Sequence, residues 1–496
     1  MSLATIRAPA YFPKTMSSTL LTAHSRAERP PVILPLIVAC ALFMENLDST
    51  IIATALPAMA RSLGESPLTM SAAMTSYLLS LAVFIPASGW LADRFGGRDV
   101  FVSAIAVFTV SSLLCGVAQN LPEMIAARVL QGMGGAMMTP VGRLVLLRAV
   151  SKSQLVQAMS YVTIPALVGP AIGPLVGGFI ATYSTWRWIF YVNLPIGLLG
   201  IALALRFIPN VRMPDPGRAD IRGLVLTGLG LGFLALTFDN IGRGALPGWL
   251  VAIAAAIGIF FLALFLRHAR RAERPAIDLT LLKLPTYRAS ILGGNCFRMA
   301  IGGTPFLLPL MFQLGFGLTP LQSGSLTFTS AVGAMGMKVI APPIVRRFGF
   351  RQLLVGNSVL CAVSLANYGL FRPSWPYALI IGALLLGGLL RSLQFTCINA
   401  IGYADVPPAR MSRATSLSSA AQQLTLSIGV TIAATLLAIV KPSHATASLA
   451  PMDFLPVFLV MSVFCLASIF FFAALPHDAG AEVSRARHRA PEPEAD

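Results

Sequence analysis

The sequence predicts an all-α membrane protein made of two pseudosymmetric six-helix halves with two helices inserted between them, fourteen transmembrane helices in total. Three observations predict it. The 496 residues are 56% hydrophobic and only 11% charged, where a soluble domain carries about 25% charged residues. A chain this apolar needs lipid as its solvent. Apolar runs long enough to cross a bilayer recur along the chain, and one half of the sequence echoes the other.

The runs fall in order. Six lie at about 33–58, 70–92, 99–118, 121–145, 155–180 and 188–208, two at about 220–240 and 247–267, and six more at about 288–313, 321–345, 352–371, 376–400, 413–440 and 453–475. The domains that follow are a disordered cytoplasmic tail at 1–30, an N-terminal six-helix half at 31–210, two inserted helices with their loops at 211–275, a C-terminal six-helix half at 276–475 and a second disordered cytoplasmic tail at 476–496. The first thirty residues are polar and basic and lack the apolar core of a signal peptide.

Asp93-Arg94-Phe95-Gly96-Gly97-Arg98 after the second span returns as Arg346-Arg347-Phe348-Gly349-Phe350-Arg351 after the tenth, 253 positions later. The same offset superimposes Gly134-Gly135 on Gly387-Gly388, and an offset of 252 places Pro57 on Pro309. Matches at one spacing argue for duplicated halves in parallel orientation.

The net charge of +17 invites a nucleic-acid reading, but its distribution argues against one. Of the 36 Lys and Arg, only Arg61, Arg187, Arg243, Arg372 and Lys441 fall outside the loops and tails assigned to the cytoplasm, while Arg128, Arg298, Lys338 and Arg391 lie within spans. That bias is the positive-inside pattern and puts both termini in the cytoplasm. The preponderance of Arg over Lys fits a bacterium with a GC-rich genome, hence a multi-pass inner-membrane location. The six cysteines sit in apolar runs without a CxxC spacing, which supports neither a metal site nor a disulfide framework. Cys40, Cys115, Cys296, Cys361, Cys397 and Cys465 read as small buried hydrophobes.

Two motifs suggest how such a bundle moves. In Gly89-Trp90-Leu91-Ala92-Asp93-Arg94-Phe95-Gly96-Gly97-Arg98, Gly89 permits close helix approach, Gly96 makes a tight turn, Asp93 is placed to cap a helix start, and Arg94 and Arg98 are placed to pair across the halves. The plainer reading is a cytoplasmic turn with positive-inside arginines. In the fifth span, Gly169, Gly173 and Gly177 recur every four residues and form one flat stripe, interleaved with Pro165, Pro170 and Pro174, which remove backbone hydrogen bonds and allow bending. The plainer reading there is small-residue packing.

The first of these resembles the loop 2–3 motif of the major facilitator superfamily, and the second resembles that superfamily's antiporter motif. Leu47-Asp48-Ser49-Thr50 with Ala55-Leu56-Pro57, and Trp186-Arg187-Trp188 through Pro195-Ile196-Gly197, resemble markers of its fourteen-helix drug:proton antiporter (EmrB/QacA-like) family. Arg298 with Pro305-Phe306-Leu307-Leu308-Pro309 and Gln313, Gly336-Met337-Lys338, Arg391-Ser392-Leu393-Gln394-Phe395, and Ser427-Ile428-Gly429-Val430 are similar to an MdtD-type subgroup labelled as multidrug transporters. The resemblance spans about residues 33–475 and implies a major facilitator fold and proton-coupled multidrug efflux.

Charges inside spans are costly and mark function or structural pairing. Glu45 and Asp48 are three apart, on one face of the first span. At about 1.5 Å per residue, Asp48 lies roughly 13 Å from that span's outer end and Arg128 roughly 9 Å into the fourth, so the arginine can approach the acids. Arg128 also matches the Arg of the family's R-x-x-Q-G-x-G run, here with Gln131. These three residues are the expected proton-coupling group, Asp48 leading and Glu45 assisting. The second half holds only cations in its spans, and the repeat sets Arg298 opposite Glu45. Arg298, Arg391, Lys338, Gln131 and Gln313 are the expected substrate contacts, with structural ion pairing as the competing reading.

No Walker run, nucleophile elbow or His-rich metal site appears, so an enzyme, a metal centre or a cofactor is not expected, and energy must come from an ion gradient carried by a carboxylate. The expected partners are the lipid bilayer, protons and a small-molecule substrate handled by a monomer. Two cargoes compete: hydrophobic or cationic drugs, and an anionic metabolite such as citrate or a metal–carboxylate complex held by Arg298 and Arg391.

Overall fold

A computed structural model describes residues 33–149, 155–210, 212, 220–243, 247–272, 278–407, 410–440, 449–476 and 479. The tail expected at 1–30 and nearly all of that at 476–496 lie outside the described residues.

The described chain is helical and contains no strand. Helix α1 (Ile33–Leu63) is followed by α2 (Ser71–Phe84), a 3-10 turn (Ile85–Ala87) and α3 (Ser88–Phe95), which run on as one rod. Next come α4 (Gly97–Val117), α5 (Leu121–Ala149), α6 (Leu155–Tyr183), a single turn α7 (Trp188–Tyr191) and α8 (Asn193–Phe207). Helices α9 (Ile221–Arg243) and α10 (Gly248–Ala269) pack on each other, with Phe233 stacked on Phe261 at 6.4 Å, and α9 lies against α2 and α16 (Met411–Val440). The remaining helices are α11 (Pro285–Gly302), α12 (Thr304–Leu310) with a π-turn (Met311–Gly315), α13 (Pro320–Phe348), α14 (Phe350–Tyr368), α15 (Tyr377–Gly402) and α17 (Phe454–Ala473).

Among the described residues, nine helices are long and apolar enough to cross a membrane by length and composition. α5 and α11 fall outside that set. Polar residues lower their hydropathy, Arg128 and Gln131 in one and Asn295 and Arg298 in the other. The outer surface is studded with large apolar side chains, among them Val110, Phe179, Leu198, Ile259, Val363 and Phe470. Water would not tolerate such a surface, and lipid requires one.

The glycine repeat explains how each half is assembled. Gly134 of α5 meets α4, where an added Cβ would come within 2.8 Å of the Phe108 nitrogen, and its neighbour Gly135 meets Leu81 and Tyr77 of α2. At the repeat positions, Gly387 of α15 meets Tyr368 and Ser364 of α14, and Gly388 meets the Ser330 carbonyl of α13. One glycine pair thus seats the same two neighbouring helices in both halves, through backbone at Gly134 and Gly388 and through side chains at Gly135 and Gly387. Gly96 and Gly349, also one offset apart, turn the chain at φ of 100° and 74°, a conformation glycine reaches without strain.

The halves meet through exchanged pairs, α2 with α16 and α6 with α13. Ser427 donates to the Thr75 carbonyl at 3.2 Å, and the Leu321 amide donates to Thr182 Oγ1 at 3.0 Å. An apolar core shared by both halves gathers where α1 ends, including Ile52, Leu56 and Met59 with Leu307, Met311 and Phe312. A separate core, around Leu34, Val38 and Leu42 where α1 begins, is built almost wholly from the N-terminal half.

Candidate functional site

Asp48 lies at the centre of a buried polar cluster contributed by five helices. Its Oδ2 accepts from Arg128 Nη1 at 2.6 Å, and its Oδ1 accepts from Gln131 Nε2 at 2.9 Å and Asn193 Nδ2 at 3.0 Å. Arg128 Nη1 also donates to Gln131 Oε1 at 2.6 Å, and Arg128 Nε to the Ala73 carbonyl at 2.9 Å. Ser112 Oγ accepts from Gln131 Nε2 at 2.8 Å and Asn193 Nδ2 at 3.3 Å. The guanidinium is 4.3 Å from the Tyr77 ring centroid, and both Asp48 and Arg128 are 1% exposed. A buried ion pair survives only when the remaining lone pairs and protons are also satisfied, and the amides of Gln131 and Asn193 do that here. Helix spacing places Arg128 and Gln131, three apart on α5, on one face toward α1.

Glu45 sits one turn back on the same helix and has a different environment. Its one hydrogen-bond partner among the described residues is Thr139, whose hydroxyl donates to Oε2 at 2.6 Å. The nearest charges acting on it are those of Arg143 and Asp48. The similar depth of Arg128 and the first-span acids therefore brings the arginine to Asp48 and not to Glu45.

The stripe of Gly169, Gly173 and Gly177 lands on α1 opposite this cluster. A Cβ at Gly169 would come within 3.0 Å of the Phe43 carbonyl, one at Gly173 would run into Thr50, and one at Gly177 into the Ile51 carbonyl. The helix α6 continues through Pro165, Pro170 and Pro174. Its other face meets α13, where Gly178 packs on the Pro320 carbonyl and Gly324 on that of Pro174.

In the loop after α3, several expectations are corrected. A Cβ at Gly89 would meet nothing within 4 Å, so no helix approaches closely there. Helix α4 starts at Gly97, with Gly96 as its N-cap and Asp99 the acid in its first turn. Arg98 pairs with Asp99 at 3.1 Å, within its own half, and Asp99 also accepts from Asn210 at 2.6 Å and Arg212 at 3.2 Å. Arg94 is exposed.

The residues expected to touch substrate separate. Gln131 is wholly buried in the Asp48 cluster. Gln313, in the π-turn, donates to the Thr54 carbonyl at 2.9 Å and ties the halves together near the end of α1. Lys338 is exposed and donates to Thr396 at 3.1 Å. Arg298 is 3% exposed and donates to Asn399 at 3.1 Å, with its Nε unpartnered and the Phe395 ring 5.9 Å away. The repeat set Arg298 opposite Glu45, but no acid lies within ion-pair distance of it among the described residues. Arg391 donates to Ser330 at 3.3 Å and lines a small cavity inside the C-terminal half.

Sequence reasoning missed Ser112, Thr139, Arg143 and Tyr77. Asn193 was in view only as part of a marker run. Its signal was that it is a lone amide in an apolar segment. No cluster of His, Cys, Asp or Glu suited to a metal ion occurs among the described residues.

The sequence profile of the Major Facilitator Superfamily matches residues 38–430 and 291–494. The chain is 40% identical over 458 residues to "Putative multidrug resistance protein MdtD" of Klebsiella pneumoniae, covering 91% of this chain and 97% of that one. It is 39% identical over 456 residues to the protein of that name from Escherichia fergusonii, covering 91% and 96%. Its fold is similar to the D-xylose-proton symporter (TM-score 0.65, 15% identity, 90% of this chain and 98% of that chain). It is also similar to the human organic anion transporter MFSD10 (TM-score 0.59, 15% identity, 90% and 100%). The chain is a multi-pass inner-membrane transporter for small molecules, not an enzyme, and it belongs to the major facilitator superfamily.

Proposed function

We propose that the chain is a proton-coupled multidrug exporter that crosses the inner membrane fourteen times with both termini in the cytoplasm and exchanges protons for drug by alternating access. The observation that carries this reading is the contrast between the two acids of α1. Asp48 is 1% exposed and has both oxygens occupied by Arg128, Gln131 and Asn193. Glu45 keeps one hydroxyl partner and, among the described residues, no ion pair, although the charge of Arg143 acts on it, so Glu45 is the acid that exchanges a proton in this state. Asp48 becomes available only when Arg128 withdraws in another state. Because both acids lie on one face of α1, movement of that helix against α6 links proton exchange to the opening of the cavity. The name shared by the relatives supports a drug cargo.

A second reading, export of an organic anion, is favoured by Arg298. A buried guanidinium with one amide partner and a free Nε is suited to a bidentate carboxylate. Efflux from proteoliposomes with an imposed pH gradient decides between them. The first reading expects accumulation of lipophilic cationic drugs that collapses when the gradient is dissipated. Gradient-driven transport of citrate-like acids without drug transport would establish the second, and transport insensitive to pH would sink both.

A further inference from the structure

Between Asp278 and Asp405 the sequence contains no Asp or Glu, and none lies in any described α-helix of the C-terminal half. Arg391 lies within that acid-free stretch, on α15. Among the described residues no carboxylate is within ion-pair distance, and its one hydrogen-bond partner is Ser330 at 3.3 Å. The acids of α1 are committed elsewhere, Asp48 to Arg128 and Glu45 to Thr139. Arg391 is half-buried, an arginine does not shed its charge, and a guanidinium partly removed from water is costly without a counter-charge.

The guanidinium lines an internal cavity between α11–α12, α14 and α15, together with Thr304, Ser364, Tyr368, Cys361 and Gly387. Thr304 is 5% exposed, and its hydroxyl has no partner. Tyr368 and Ser364 are hydrogen-bonded to each other and sit against Gly387, where the absence of a side chain makes room for them. The cavity leaves about 10 Å³ for the centre of a water-sized sphere, enough for one water or one monatomic ion and too little for an organic acid. A fixed positive charge, an unpartnered buried hydroxyl and a single-ion space share one cavity lining.

We infer that this cavity binds a small inorganic anion, chloride, held by Arg391 and the Thr304 hydroxyl. The ion is a resident counter-charge of the C-terminal half and not a cargo. It balances that half as Asp48 balances Arg128 in the other. The inference stands on the C-terminal half alone and is independent of where the proton exchanges.

The test is thermal unfolding of the purified full-length protein in detergent, with sodium chloride titrated against sodium gluconate at constant ionic strength and pH. A saturable rise in midpoint with chloride, reproduced by bromide, is expected. Arg391→Met, which keeps the bulk and removes the charge, should abolish the response. Thr304→Val, which keeps the shape and removes the hydroxyl, should weaken half-saturation by about tenfold, the worth of one hydrogen bond to a charged partner. If Arg391→Met does not fold, Thr304→Val and the anomalous signal of bromide in crystals carry the test. Arg298→Met should keep the response. Equal midpoints in chloride and gluconate, as for a cavity holding only water, would overturn the inference. So would an undiminished response in Arg391→Met, or a response to citrate with none to chloride, which would place Arg391 in a cargo site.

Discussion

Arg128 and Asp48 are eighty positions apart in sequence, yet their side chains meet at 2.6 Å, and both are shut away from solvent. Removing either partner leaves the other as an uncompensated buried charge. Arg128→Met is therefore expected to cost about 3–5 kcal/mol of stability. The double change Asp48→Asn, Arg128→Met should cost less than Arg128→Met alone, since the stranded charge is gone. Denaturation midpoints of the three variants check this, and equal losses for the single and double variants would refute it.

The α6 glycines are expected to be intolerant of even one methyl group. Gly177→Ala drives a Cβ into the Ile51 carbonyl, a backbone atom that cannot swing away, and overpacking of that kind costs about 1–3 kcal/mol. Gly232→Ala on α9 is the control, because nothing lies within 4 Å of its added Cβ. A lower melting temperature in the first variant and no drop in the second is the expected result.

Gln313 holds the Thr54 carbonyl across the two halves. Gln313→Ala removes that clasp, worth about 1 kcal/mol, which is several-fold in a two-state population. Cysteine labelling at the end of the bundle where α1 finishes should speed up by that factor, with substrate binding preserved.

Asp278 joins the segment after α10 to the loop before α16. Burial pushes its carboxyl up, but hydrogen bonds from Thr280 and Arg410 more than reverse this and hold it below the usual carboxylate range. The contribution is fully present above the unfolded value of about 3.9 and is lost as pH falls through the lower folded value. Because Arg410 is partly exposed, the effect is small, of order 1 kcal/mol or less. Asp278→Asn should flatten the acid limb of the stability–pH profile by lowering stability at neutral pH by that small amount, with little change at low pH.

The sequence made the fold class legible because lipid demands apolar runs and the duplicated glycines must recur wherever two backbones touch. Gly134-Gly135 and Gly387-Gly388 marked the duplication of the halves in the sequence. Asp48 and Arg128 were also legible, since their depths could be counted along two helices. Which polar groups would complete the cluster was not. Asn193 and Ser112 come from helices whose rotation about their own axes no periodicity specifies, and both read as ordinary polar interruptions. The pairing of Glu45 with Arg298 failed for a related reason: the repeat relates positions in two halves, and related positions need not face each other. Gly89 was read from its local run alone, which does not say whether another helix lies beside it.

The account rests most heavily on Glu45 as the acid that exchanges the proton. The direct measurement is drug transport by Glu45→Gln in proteoliposomes, scored as uptake driven by a pH gradient and as drug–drug counterflow without one. The account predicts that gradient-driven transport falls to background while counterflow persists, because the glutamine keeps the Thr139 hydrogen bond and the cavity but carries no exchangeable charge. Undiminished gradient-driven transport in Glu45→Gln, with loss of that transport in Asp48→Asn, would contradict it and return the proton to Asp48.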